Sequence, residues 1–217
     1  MTSRSFAFLA LACAILSGCQ TKSAHEQKSA FSSVYTASSA YSLRAGPIKT
    51  FPNGLQRPAL KKGLKYFIEF RARNAKSYGH AAVAFGRLDR RGKLPTLKNG
   101  DLKPGRIEIS GLAPASDEVA VYSAGHLIPV IGSTGPSDGD DEQAYLLARF
   151  RINLTEAEFR RTVAIIKARK SKPQYWNGPL NSCVTYIHRI ASEMGLKTPK
   201  TLHLPKGYVT KLKALNS

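Results

Sequence analysis

From residue 64 onward the chain shows short stretches in which apolar and polar positions alternate. Leu64–Arg71 (LKYFIEFR) is aromatic-rich with period 2, the pattern of a strand with one buried face. Gly79–Leu88 (GHAAVAFGRL) predicts a second strand, and Asp89-Arg90-Arg91-Gly92 supplies turn chemistry behind it. Arg106–Ile109 and Glu118–Ser123 (EVAVYS) predict two shorter strands, and Ser133–Asp141 (STGPSDGDD) predicts a loop. Leu146, Ala148, Phe150 and Ile152 restore the alternation, so one more half-buried strand is expected there.

The period then changes to that of a helix. Thr155-Glu156-Ala157-Glu158 is a capping box, and Phe159, Val163 and Ile166 fall on one face of a helix running to about Lys170, with Pro173 beyond its end. Ser182–Met194 predicts a second helix, capped by Asn181 or Ser182 and stopped by Gly195. Val184, Ile187, Ala191 and Met194 form its buried stripe. Several antiparallel strands followed by two helices make an α+β domain, with an antiparallel sheet packed on C-terminal helices.

The first 63 residues lack these patterns. Arg4 precedes an apolar stretch, Phe6–Leu16, which is shorter than the ~20 residues of a spanning helix and ends in Leu16-Ser17-Gly18-Cys19. This is the layout of an export signal, and its end resembles the lipobox of bacterial lipoproteins. That resemblance implies cleavage after residue 18, acylation of Cys19, and a membrane-anchored protein facing the periplasm, with the outer membrane favoured. The Ser- and Ala-rich segment 19–45 reads as a flexible tether, which leaves 46–217 as the folded domain.

Composition sharpens this reading. Among 217 residues, 33 Lys+Arg against 14 Asp+Glu give a formal charge of +19. Such a charge attracts anionic polymers, and export turns the expected partner from nucleic acid to peptidoglycan or anionic lipid. The chain has 3 cysteines, too few for a disulfide scaffold; with Cys13 removed and Cys19 acylated, Cys183 is left as an unpaired thiol. No histidine pair has metal-ligand spacing and no phosphate loop is present, so neither a metal nor a cofactor is expected. Asp138, Asp140, Asp141 and Glu142 lack the spacing of a calcium loop and read as a solvated acidic loop.

Cys183 falls in the first turn of the last predicted helix, where unpaired N–H groups and the helix dipole favour a thiolate. The same N–H groups could stabilise an oxyanion, and His80, opening a predicted strand, is the candidate base. His188, five residues past Cys183, points away from it and reads as exposed; His203 reads as structural or solvated.

Tyr78-Gly79-His80-Ala81 on a strand, followed about a hundred residues later by Tyr175 and then Asn181-Ser182-Cys183-Val184 opening a helix, resembles the circularly permuted papain-like superfamily. That group includes NlpC-type cell-wall peptidases in permuted form and lecithin–retinol acyltransferase-like enzymes. The resemblance covers about Leu64 to Leu196. It implies Cys183 as nucleophile, His80 as general base, and a third polar residue orienting the imidazole, for which His126 and Glu108 are both candidates. The expected function is a cysteine-dependent amidase, peptidase or acyltransferase acting on an envelope component. The alternative is a non-catalytic lipoprotein that uses the same fold for binding.

Overall fold

A computed structural model of the protein describes residues 64–217 apart from 76 and 77. The expected leader (1–18), Cys19, the tether (19–45) and the start of the expected domain (46–63) lie outside the described residues. The alternating segments form the central sheet: β1 (Tyr66–Arg73), β2 (His80–Arg87), β3 (Ile107–Gly111) and, after shorter elements, the long strand Leu146–Leu154. Their order in space is β3-β2-β1 and then Leu146–Leu154, all antiparallel.

Register decides which residues share a face. Phe70 lies opposite Val83 on one side and Phe150 on the other, and Ile68 lies between Phe85 and Ile152. These side chains all belong to the main core cluster. One residue along, Phe67 and Ala84 point to the other face, where Leu88, Leu102 and Ile107 make a second apolar cluster. Both faces of the sheet are therefore covered, which explains why β2 is apolar almost throughout and buried except at Arg87.

Glu118–Ser123 is the predicted strand that the structure corrects. It forms a short helix, α1 (Val119–Ala124), with no buried residue. Its alternation covers too few residues to separate the two periods, and local backbone bonds satisfy the chain: Tyr122 N–H donates to Glu118 O and Gly125 N–H to Val121 O. Around it lies a small antiparallel sheet that the sequence pattern did not predict. Its strands are β4 (Ala113–Pro114), β5 (Val130–Ser133) and β7 (Gln174–Trp176), in the order β4-β5-β7, with Leu146–Leu154 numbered β6.

The two predicted helices are present as α2 (Glu156–Lys170) and α3 (Cys183–Glu193). The Thr155 hydroxyl accepts from Glu158 N–H while the Glu158 carboxylate accepts from Thr155 N–H, so both halves of the capping box are made. Gly195 takes a positive φ of 81° just past α3, which is the helix stop read from the sequence. A further helix, α4 (Pro205–Asn216), buries Tyr208, Val209 and Leu212 in the main core. The molecule is thus mixed α+β, with an antiparallel sheet against three C-terminal helices where two were expected. Among the described residues no helix is long and apolar enough to cross a membrane.

Candidate active site

β2 and α3 meet at the ends that carry His80 and Cys183. His80 is the first residue of β2, and Cys183 the first of α3. The backbone N–H groups of Ala81, the residue directly after His80, and of Val184 and Cys183 itself act on the Cys183 thiol and favour its ionised form. Two residues about a hundred positions apart in the chain are thereby held at one strand end.

Local backbone geometry makes this approach possible at two glycines. Gly79 has φ of +91°, and a Cβ there would lie 2.6 Å from the Arg73 carbonyl, so the chain turns tightly just before His80. Gly111 closes β3 opposite Ala82, and a Cβ on it would lie 2.7 Å from His80 Nε2. Glycine there is a requirement of the imidazole's position.

The third group at the site is Asp140. Its Oδ2 lies 3.8 Å from His80 Nε2, beyond hydrogen-bond reach, and that nitrogen is buried with no hydrogen-bond partner. Asp140 is itself buried and firmly held: Arg73 Nε donates to its Oδ1 at 2.6 Å, and Ser137 N–H to its Oδ2 at 2.7 Å. Its reading as part of a solvated acidic loop is therefore corrected. The loop folds inward at this residue because a guanidinium and a backbone N–H replace the water that the carboxylate gives up.

His126 is joined to the site through Tyr78, whereas Glu108 lies in other surroundings. The His126 ring bonds the Tyr122 carbonyl through Nδ1 at 2.9 Å and the Tyr78 hydroxyl through Nε2 at 2.9 Å. A carbonyl only accepts, so Nδ1 carries a proton, and Nε2 pairs with the Tyr78 hydroxyl. The same ring lies edge-on to Tyr122 and Trp176. Glu108 lines an open groove of about 390 Å³ with Phe85, Val163, Ile166, Lys167 and Lys170. Burial raises its pKa, against the opposing effect of Lys170 and Lys167. His188, read as exposed, is half-buried, and its Nδ1 lies 3.2 Å from the Tyr208 hydroxyl. That helix face is covered by α4, which the sequence pattern did not predict.

Electrostatics at the site favour uncharged groups. Burial pushes the Cys183 thiol up to about 11, outweighing the three N–H groups that favour the thiolate, and the Asp140 charge adds to the rise. The thiolate expected from the helix N-terminus is thus not the resting form at neutral pH. Burial also lowers the pKa of His80; Asp140 acts to raise it and Arg73 to lower it. The Tyr78 hydroxyl is driven upward mainly by burial, then by its bond with Tyr122, with Cys183 contributing. At rest the site holds an un-ionised thiol and a neutral imidazole, with one buried carboxylate engaged by arginine.

Access is narrow. Cys183 is 3% exposed and His80 8%. Among the described residues, no group of three or more His, Cys, Asp or Glu side chains is arranged to hold a metal ion. Arg73, Tyr78 and Asp140 are the site residues that sequence reasoning missed. Tyr78 stood within the quoted motif; Asp140 carried no periodic signal, because its burial depends on an arginine 67 residues away. No protein-family model matches the chain, and comparison with curated proteins and with solved structures finds no match.

Proposed function

We propose that the protein is a cysteine-dependent hydrolase or acyltransferase of the cell envelope, anchored through Cys19, with Cys183 as nucleophile, His80 as general base and Asp140 as the orienting carboxylate. The observation that carries this reading is the approach of Ala81 N–H to the Cys183 thiol, which brings the start of α3 to the imidazole-bearing strand end. The order of a histidine strand before a cysteine helix, on an α+β scaffold, supports a permuted papain-like domain. In that arrangement Asp140 stands where His126 or Glu108 was expected.

The chemistry follows from the protonation states. With Nε2 turned toward Asp140, the other ring nitrogen, Nδ1, is left to accept the thiol proton as sulfur attacks a substrate carbonyl. The backbone N–H groups at the start of α3 stabilise the oxyanion. Collapse of the tetrahedral intermediate breaks the bond to the amine or alcohol, which takes the proton from His80 and leaves a Cys183 thioester. Water, or an acceptor amine or hydroxyl, then attacks the thioester and gives its proton to His80; the C–S bond breaks, the acyl product leaves, and the Cys183 sulfur takes the proton back from His80. A thiol–imidazole pair that starts neutral needs this base, since little thiolate is present beforehand. Asp140, whose Oδ2 lies 3.8 Å from Nε2, stabilises the imidazolium that forms as the thiol proton is transferred.

Peptidoglycan amide bonds are the proposed substrate, since a lipid tether holds the domain beside the wall. The test is incubation of the protein with purified sacculi and stem peptides, reading released fragments and the mass of any Cys183 adduct. Release that is abolished in Cys183→Ala and His80→Ala supports the reading; release unchanged in Cys183→Ala overturns it. A second reading, a non-catalytic envelope-binding lipoprotein, is favoured by the near-complete burial of Cys183. It predicts sacculus or vesicle binding that Cys183→Ala leaves intact, with no fragments released.

A further inference from the structure

The small sheet carries an apolar surface with no partner in the described fold. Leu127, Ile128, Ile131, Tyr175 and Leu180 are each more than half exposed, Leu127 the most at 86%. They lie in two stretches, 127–131 and 175–180, which the register of β5 on β7 and the bonds between their loops bring to one end of the small sheet. Ile131 of β5 lies directly opposite Tyr175 of β7, which puts both on the same face. Leu127 and Ile128 follow His126, whose ring presses on Gly178, two residues before Leu180. Gly178 N–H donates to Gly125 O, and the Asn177 side chain bonds the same carbonyl, so the two loops are tied together.

The support beneath this surface is aromatic. Trp176 stacks on Tyr122 with centroids 5.4 Å apart, and His126 meets the indole edge-on. Basic groups flank the apolar face: Lys172 is exposed just before β7, and Arg189 donates to Asn181, the neighbour of Leu180. Asp117 and Glu118 follow β4, the strand at the opposite edge of the small sheet. An exposed apolar cluster of this kind with a basic border, on a chain of charge +19, is complementary to an anionic bilayer.

We propose that the β5–β7 face, with Leu127, Ile128 and Leu180, is a membrane-docking surface that inserts these side chains among the headgroups of an anionic lipid bilayer. Leu180 stands three residues before Cys183, so docking sets the start of α3 close to the lipid surface. The proposal does not depend on Cys183 being a nucleophile.

Trp176 is the chain's one tryptophan and lies within this small sheet, so its fluorescence reports contact there and not at the N-terminus. The full chain is mixed with vesicles of phosphatidylcholine, with and without phosphatidylglycerol, whose acyl chains carry bromine as quencher. The expected result is Trp176 quenching that requires phosphatidylglycerol, weakens as salt is raised, and is lost in the Leu127→Asp, Ile131→Asp double variant with an unchanged circular dichroism spectrum. Cys183→Ala is expected to quench like the wild type, so failure of the catalytic proposal leaves this result standing. Vesicle binding without quenching, or quenching untouched by the double substitution, overturns the proposal. Concentration-dependent self-association abolished by the same double variant also overturns it and assigns the face to a second copy of the chain.

Discussion

Arg73 Nε donates to Asp140 Oδ1 at 2.6 Å, while the register of β1 on β2 sets Arg73 directly opposite His80. One guanidinium therefore fixes the carboxylate and bears on the imidazole's charge. Asp140→Asn removes the charge that raises the His80 pKa and leaves Arg73, which lowers it. The His80 pKa is expected to fall further, as followed by NMR titration of the imidazole. Breaking a buried pair by removing one partner also costs about 3–5 kcal/mol, so a matching loss is expected in urea unfolding. An unchanged titration would remove Asp140 from the site.

Because burial lowers the His80 pKa, the unfolded chain binds a proton that the folded one refuses. Stability is expected to be intact above the unfolded value of ~6.5 and to decline as pH falls below it. In His80→Asn this part of the acid sensitivity should disappear, which unfolding curves at pH 7 and pH 5 can show. Equal acid slopes in the two proteins would count against a buried neutral imidazole.

The Cys183 thiol runs the other way. With its folded pKa near 11, the unfolded chain ionises first, so stability is lost as pH rises from ~8.5 toward 11. Iodoacetamide labelling at pH 8 is expected to be about 100-fold slower in the native protein than in urea, from the smaller thiolate fraction alone. Cys183→Ser should show no comparable loss of stability between pH 9 and pH 11, because a serine hydroxyl does not ionise there. Rapid labelling of the native protein at neutral pH would contradict both the burial and the raised pKa.

Gly111 offers a test of geometry with no change of charge. Its added Cβ would meet His80 Nε2 at 2.7 Å and the Ala82 Cβ at 3.0 Å, so Gly111→Ala must move the imidazole or part the end of β3 from β2. Loss of any Cys183-dependent activity is expected, with destabilisation of about 1–3 kcal/mol from overpacking. Activity retained in Gly111→Ala would mean that the position of His80 is not critical.

What the sequence revealed and what it hid differ by length of pattern. β1, β2 and β6 run for 8 or 9 residues, long enough for Phe70 and Phe150 to show period 2. α2 and α3 carried both a stripe and an end signal, such as Thr155 with Glu158. The small sheet was hidden because strands of 2 to 4 residues, one ending in Pro114, display no period. Tyr208, Val209 and Leu212 have helical spacing, but Gly207 and four lysines in or near that segment mask it. At the site, the chemistry of Cys183 and His80 was visible as residue type plus element end. The effect of burial on their charge was not, since it depends on the packing of remote residues around them.

His126 separates a structural from a catalytic histidine. Its two ring nitrogens are engaged by the Tyr122 carbonyl and the Tyr78 hydroxyl, and its ring packs edge-on against Trp176. If it serves to hold the loop at Gly125–Gly178, His126→Ala destabilises the fold through lost packing and the lost bond to the Tyr78 hydroxyl, by about 1–3 kcal/mol. Chemistry at Cys183 would then persist at temperatures where the variant is folded. His126→Gln keeps a donor and an acceptor and should recover part of the stability. If instead His126 orients the reacting imidazole, both variants lose turnover without a matching loss of stability. The geometry favours the first outcome, because Asp140 is the group that faces His80 Nε2. Measuring unfolding and turnover on the same three proteins decides between them.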